Sequence, residues 1–297
     1  MTLEQLRIFV AVAEYEHMTR AAHHLNLTQS ATSAAIAALE SRYATMLFDR
    51  IGRRIALTEA GRLFLVEAKA VLARAMAAET VLADLAGLSR GTIRIAASQT
   101  VGNYWLPPIM QRFRSLHAGI TLKLSLGNTE TVAAAVHEGV AELGFIEGEI
   151  DDPHLVVQPI ATDKLMLVAA HGHPWSTQPP DGPHTLDMAT WVCRERGSGT
   201  RAALEAVLPA LGLSQSTMQS ALELPSNEAV CAAVEAGAGV TILSFHVVRR
   251  ALEAGTLVAV DIALPSRNFL VLRHKERYVT KASAEFQRLA LETSNNG

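Results

Sequence analysis

Only two cysteines occur among the 297 residues, Cys193 and Cys231, and neither stands in the spacing of a zinc site or a disulfide framework. Both lie among apolar neighbours, so reduced, buried thiols are expected, with no metal site and no cofactor. No stretch reaches the run of about 18 apolar residues that a membrane span needs. A basic start is also missing: MTLEQLRIFVAVAEYEH brings Glu4, Glu14 and Glu16 instead, so no signal peptide is expected and the cytoplasm is the expected compartment. The net charge is only -3, so any nucleic-acid site has to come from local charge. Apolar residues, by contrast, make up 49% of a chain longer than one core usually organises, and two or three domains are expected.

The first 62 residues read as helices and a hairpin. Leu3, Leu6, Ile8, Phe9, Val12 and Ala13 recur at helical spacing up to about His17. Thr19 is the expected cap of a short second helix, RAAHHL. Thr28 is the expected cap of a third, TQSATSAAIAALESRY, with Ile36 and Leu39 inward. Gln29, Ser30, Thr32 and Ser33 crowd its first turns. Small polar side chains at a helix start suit base edges and phosphates, and they also suit ordinary capping. Residues 42–62 tip the balance toward DNA. Arg42, Arg50, Arg53, Arg54 and Arg62 face only Asp49 and Glu59, and DRIGRRIALT reads as two short strands turning at Gly52 with Arg53 and Arg54 at the tip. A helix-turn-helix followed by a basic hairpin is a winged arrangement, in which the helix enters the major groove and the wing meets the backbone or minor groove.

These residues resemble the N-terminal domain of LysR-type transcriptional regulators. The resemblance rests on Phe9, Ala13, Thr19 to Ala22, Leu25, Gln29, Ser33, Ile36, Leu39 to Glu40, Leu47 to Phe48, Arg50, and the LTEAG of Leu57 to Gly61. Two departures stand out: the family usually has proline where Ser30 stands, and Leu-Gly where Tyr43 and Ala44 stand. Ser30 bears on operator preference rather than on the DNA-binding role. From Thr58 to about Leu88 the chain is Ala-rich and helical, with Leu63, Val66, Ala70, Val81, Leu85 and Leu88 available to an apolar seam. A helix of about 30 residues spans roughly 45 Å, too long for a 60-residue domain to cover. The resemblance implies that this helix pairs antiparallel with that of a second subunit, giving a dimer on a two-fold-related operator in double-stranded DNA, and a homotetramer beyond it.

Gly91 opens a different texture, in which strands GTIRIAAS, ITLKLSLG and AELGFIEG alternate with helices PPIMQRFRSLH and TETVAAAVHEG. That order implies a parallel sheet flanked by helices, and after residue 163 it begins again with KLMLVAA. GNTETVAAAVHEGVAELGF, from Gly127, aligns with PSNEAVCAAVEAGAGVTIL, from Pro225, at a constant offset of 98. The same offset sets SQTVG opposite RGSGT. Two like lobes are implied, with strand ends facing one cleft. RNFLVLRHKERYVTKASAEFQRLAL is expected to return to the first lobe, giving crossings near residues 161–164 and 264–267 that serve as a hinge. The LysR resemblance extends here, implying a bilobed, periplasmic-binding-protein-like effector domain. ASQTVGNYWLP, LGNTE, GFIEG, HPW and RERGSGTR look most like the sulfite-responsive and carbon-fixation branch. The expected class is α/β, with a winged helix-turn-helix over 1–58, a linker helix over 59–89 and an effector domain over 90–297. Lobe 1 is expected at 90–162 and 266–297, lobe 2 at 163–265.

RERGSGTR, Arg194 to Arg201, admits three readings. GSGTRA fits a dinucleotide fingerprint, with Glu223 placed as a ribose-binding acid, and a dinucleotide-dependent enzyme with an accessory helix-turn-helix is the alternative function. A serine nucleophile is disfavoured because Ser198 has glycines immediately beside it rather than two positions away. Capture of a small anionic effector fits best, with main-chain N–H groups at a helix start, hydroxyls of Ser198 and Thr200, and charge from Arg194, Arg196 or Arg201. Ser98, Thr100 and Asn128 would complete the shell from the other lobe, with Thr129 and Asn227 behind them. Glu147, a carboxylate at a strand end, would need a protonated ligand, an arginine partner or a bridging water beside an anion, and a paired, structural Glu147 is the equal alternative.

Overall fold

Capping chemistry sets the helix boundaries of the N-terminal unit. The computed structural model describes residues 1–51, 54–85, 91–213 and 219–294. They form two compact units, Met1–Leu82 with Glu138–Val140, and Ala83–His137 with Ala141–Gly297. In the first, α1 (Leu3–Tyr15) opens on a reciprocal cap: the Thr2 hydroxyl accepts from Gln5 N–H, and the Gln5 side chain accepts from Thr2 N–H. The cap of α2 (Met18–His24) is the His17 ring, which accepts from Arg20 N–H. Thr19, expected in that role, lies inside the first turn, because an imidazole nitrogen supplies the acceptor one residue before the helix begins. Thr28 caps α3 (Gln29–Tyr43).

From α3 the Glu40 carboxylate reaches across and accepts from the main-chain N–H groups of Leu47 (2.8 Å) and Phe48 (3.2 Å). That fixes the start of β1 (Phe48–Ile51), which pairs antiparallel with β2 (Arg54–Leu57). Phe9, Val12, Ala21, Ile36, Leu39 and Phe48 form the core beneath. The last element, α4 (Glu59–Leu85), is 27 residues long, about 40 Å at the helical rise. Along it Leu63, Val66 and Leu82 remain 67%, 53% and 69% exposed in the single chain.

The second unit has two lobes, one on a five-stranded sheet and one on a three-stranded and a two-stranded sheet linked by a single bridge. Lobe 1 is built from β3 (Gly91–Ser98), β4 (Ile120–Gly127), β5 (Leu143–Glu147), β6 (Leu155–Asp163) and, from much later in the chain, β12 (Arg267–His274). Their order is β4-β3-β5-β12-β6. Four strands, β3 to β6, run in one direction, and only β12 is reversed, antiparallel to both of its neighbours, so the sheet is mixed rather than parallel as expected. One face packs on α5 (Leu106–Leu116) and on α11 (Lys281–Ser294), through Ile95, Phe113, Phe145, Phe269 and Phe286. The other packs on α6 (Thr129–Glu138) through Ala96, Val132, Val136 and Ile146. A five-residue π-helical segment, Val101–Trp105, leads into α5.

Lobe 2 contains β7 (Leu165–Ala170), α7 (Pro183–Asp187), β8 (Thr190–Arg194), α8 (Gly199–Val207), β9 (Gln219–Leu224), α9 (Asn227–Glu235), β10 (Thr241–Ser244), α10 (Phe245–Ala254) and β11 (Leu257–Val260). β8 and β9 are parallel, β10 and β11 flank β7 antiparallel, and a Trp191–Val240 bridge joins β8 to the start of β10. The order β9-β8-β10-β7-β11 therefore repeats β4-β3-β5-β12-β6 strand for strand. Consequently β7 (KLMLVAA in the sequence) is not the first strand of the repeat: it takes the place of β12, and β8 is the partner of β3. The chain crosses between lobes twice, at Lys164 and over residues 261–266.

Candidate functional site

At the DNA-binding end, Thr28, Gln29 and Ser30 are exposed and Ser33 is half-buried at the start of α3. Thr28 Oγ1 accepts from Ala31 N–H and lies 3.1 Å from Ser30 Oγ. Thr32, expected beside them, is fully buried and spends its hydroxyl on the Thr28 carbonyl (3.1 Å), so it serves the packing face and cannot reach a base edge. Arg53 lies outside the described residues, as do the side chains of Arg50 and Arg54. Their strands place Arg50 opposite Ile55 and Arg54 opposite Ile51.

The second site lies where the strand ends of both lobes meet. Ser98 ends β3, Glu147 ends β5 and Arg194 ends β8, while Thr129 and Asn227 begin α6 and α9 at positions related by the offset of 98. Ser98, Thr100, Thr129, Glu147, Arg194, Ser198, Thr200 and Asn227 are all buried. Glu147 is the centre. One carboxylate oxygen accepts from Ser98 Oγ, the other from Thr200 Oγ1 of lobe 2 at 3.4 Å, and its main-chain carbonyl accepts from Thr129 Oγ1 at 2.7 Å. Thr100 Oγ1 lies 3.4 Å from Thr200 Oγ1 and accepts from Asn227 Nδ2 at 3.0 Å. Hydroxyl and amide donors from both lobes thus converge around one acidic group.

The arginines of the glycine turn act one layer back. Arg194 meets Glu195 with two bonds of 2.7 and 2.8 Å and donates from Nη1 to Asn227 Oδ1 at 2.7 Å. Because a guanidinium only donates, it holds the amide with its NH2 toward Thr100. Arg201 is tied to Glu205 (2.6 Å), Glu223 (3.5 Å) and the Arg194 carbonyl (3.2 Å). Asn128 caps α6 through Thr131 N–H (2.9 Å), and Ser198 caps α8 through Thr200 N–H (3.2 Å). The nucleotide reading fails on space as well as on Glu223. A Cβ built on Gly199 would come within 1.9 Å of the Glu147 carbonyl, so lobe 1 backbone fills the approach a pyrophosphate needs.

Three participants escaped sequence reasoning. Arg267, first residue of β12, bonds Asp163 Oδ2 through Nε (2.8 Å) and the Gly199 carbonyl through Nη1 (3.0 Å). Asp163 also accepts from Ser244 Oγ at 2.5 Å. Gln99 donates to the Pro225 carbonyl (2.9 Å) and accepts from Asn227 N–H (3.3 Å). The available signal was position: a charge at each end of the expected crossings. Further out, Asn103 and Tyr104 both donate to Glu228 Oε1, at 3.1 and 2.9 Å. Burial and then this carboxylate push the Tyr104 hydroxyl above the usual tyrosine range. A cavity of about 530 Å³ adjoins the cluster, lined among others by Thr129, Glu130, Glu149, Arg196, Arg201 and Glu205. Among the described residues, no group of three His, Cys, Asp or Glu is placed to hold a metal ion, and no helix is long and apolar enough to cross a membrane.

A winged helix-turn-helix ahead of a two-lobed α/β unit, with buried donors converging between the lobes, defines a ligand-responsive DNA-binding protein. The comparisons give the family. Residues 86–295 match the LysR substrate binding domain and residues 3–62 the bacterial regulatory helix-turn-helix domain of the lysR family, so the chain belongs to the LysR-type transcriptional regulators. It is 36% identical to the uncharacterized HTH-type transcriptional regulator YeiE of Escherichia coli over 96% of both chains. It is 34% identical to the RuBisCO operon transcriptional regulator of Allochromatium vinosum over 96% of this chain and 94% of that one. The HTH-type transcriptional regulator CysL of Bacillus subtilis is 31% identical over 94% of this chain and 91% of its own. CbnR, a LysR family transcriptional regulator, shares the fold with a TM-score of 0.74 at 21% identity over 99% of each chain, and full-length CbnR has also been solved with its target DNA. The chain is accordingly a transcriptional regulator with an effector-binding domain, and not an enzyme.

Proposed function

We propose that the effector is a small, proton-bearing oxyanion, of which hydrogen sulfite is the best match, bound between the lobes at Glu147. The observation that carries this reading is the Glu147 carboxylate itself, seated among Ser98, Thr100, Thr129 and Thr200. Hydroxyls donate to an incoming anion, but an ionised carboxylate only accepts, so a fully ionised ligand is repelled there. An anion that shares a proton with Glu147 converts that repulsion into a charge-assisted hydrogen bond. Hydrogen sulfite carries such a proton near neutral pH and sulfate does not. Small carboxylates are ionised near neutral pH and bring no proton to share, and a cavity mouth with Glu130, Glu149 and Glu205 against Arg196 and Arg201 disfavours the higher charge of phosphorylated metabolites.

In this reading Gln29, Ser30 and Ser33 meet the operator with Arg50, Arg53 and Arg54 on the wing. The exposed leucines and valine of α4 pair with a second copy, and tetramers assemble from such dimers. Effector binding favours one lobe arrangement and so shifts the geometry in which the operator is held. Calorimetric titration of the full-length protein with sulfite, sulfate, phosphate and acetate tests the chemistry. Sulfite should bind most tightly and more tightly as pH falls. Sulfate binding as tight as sulfite would remove the proton from the account.

A further inference from the structure

Hydroxyls and amides supply hydrogen bonds to an anion but no net charge. Arg194 is neutralised by Glu195 and Arg201 by Glu205 and Glu223, while Arg196 is exposed at the mouth of the cavity. Arg267 is also paired, with Asp163, but differs from all three in keeping a buried nitrogen unspent. Its side chain is 10% exposed, and two of its nitrogens are committed, to Asp163 and to the Gly199 carbonyl. The third, Nη2, is buried, makes no hydrogen bond, and lies 4.0 Å from Glu147 Oε1, beyond hydrogen-bond reach. Desolvated donors are almost always spent in folded proteins, and a charged one left over beside the hydroxyls gathered on Glu147 marks where a further acceptor belongs.

We propose that Arg267 is the effector's charged ligand, with Nη2 donating to an anionic oxygen held between it and Glu147. This rests on the anion reading of the same site. The assignment meets the added charge: with one proton shared between Glu147 and the ligand, the pair carries one negative charge more than ionised Glu147 alone, and the guanidinium faces it directly. The same arginine stands at the second crossing and grips Asp163 beside the first, as well as the first residue of α8. Ligand capture by Nη2 therefore pulls on both crossings at once.

The test uses full-length protein and sodium sulfite. Arg267→Lys keeps the positive charge but cannot reach Asp163, the Gly199 carbonyl and the ligand together. Loss of a charge-assisted hydrogen bond is expected to weaken sulfite binding by on the order of 10- to 100-fold while operator binding without sulfite persists. Unchanged sulfite affinity in Arg267→Lys overturns the assignment and leaves the anion reading intact. Failure of the wild type to bind sulfite, phosphate or sulfate overturns both. Should the variant not fold, wild-type crystals soaked in sulfite decide: Nη2 within hydrogen-bond distance of a sulfite oxygen supports the proposal, and sulfite held by hydroxyls and amides alone refutes it.

Discussion

Gly199 packs directly against lobe 1 backbone, and alanine in its place is a wedge of known size. The ideal Cβ falls 1.9 Å from the Glu147 carbonyl oxygen and 2.7 Å from Thr129 Oγ1, whereas ordinary contact starts at 3.4 Å, so the backbones have to part by 3.4 − 1.9 = 1.5 Å. The obstacle is main chain at the end of β5, which no rotamer change relieves. Gly199 is also the first residue of α8 and is not in the left-handed region, so alanine suits its own helix. Lobe 2 should consequently keep its stability or gain slightly, and the whole penalty falls on closure. Overpacking of this kind costs about 1–3 kcal/mol, which weakens any ligand that requires closed lobes by roughly 5- to 150-fold. Sulfite titration of Gly199→Ala by calorimetry, with a melting curve as control, reads the effect. Wild-type affinity in a folded Gly199→Ala protein would show that the effector binds an open arrangement, and the closed-cleft account would be wrong.

Other outcomes rest on the same geometry. Glu147→Gln removes the proton-sharing partner: wild-type sulfite affinity should rise as pH falls, because the complex takes up a proton, and the variant should lose or reverse that rise when titrated across the same range. Ala44 ends α3 in the left-handed region (φ 48°, ψ 38°), where a Cβ costs about 1–2 kcal/mol, partly offset by the entropy glycine adds to the unfolded chain. Ala44→Gly should thus stabilise the protein by up to about 1 kcal/mol in urea unfolding, and destabilisation would count against the strain. Burial, and after it Glu235 and Glu228, push the Cys231 thiol up to about 12. The thiol stays neutral at pH 8, so iodoacetamide should label Cys231 about a thousand-fold more slowly than a free cysteine, for which the thiolate fraction is far higher; rapid labelling in native protein would contradict the placement.

Periodicity and local chemistry carried the fold most of the way. Caps at Thr28 and Ser198, the hairpin after Phe48 and the strands from Gly91 onward are written in neighbouring residues. The offset of 98 even reaches the site, since it pairs Thr129 with Asn227, both buried at the start of equivalent helices. It failed where partners are remote. β7 looked like the start of a repeat because its apolar run is the same whichever strand it neighbours, and only pairing with β10 and β11 shows that it replaces β12. Thr32 looked like a DNA contact because composition does not say which side of a helix a residue faces. Arg194 and Arg201 looked like ligands for a related reason: their carboxylate partners Glu195, Glu205 and Glu223 were visible in the sequence, but not that they already meet the charge. Arg267 stands 104 residues from its Asp163 partner, a separation no motif records.

The two crossings differ in mechanical freedom. At the first, β6 ends on Asp163 and β7 begins on Leu165, so a single residue, Lys164, separates the two sheets, and its carbonyl is fastened by Phe245 N–H at 2.8 Å. The second runs through residues 261–266 with no regular structure. One crossing is a single pinned residue; the other is a six-residue segment whose Ile262 and Leu264 pack on the lobe 2 core, so Lys164 is the shorter tie between the lobes. If the effector changes the angle between the lobes, a one-residue insertion beside Lys164 should disturb the response more than one within residues 261–266.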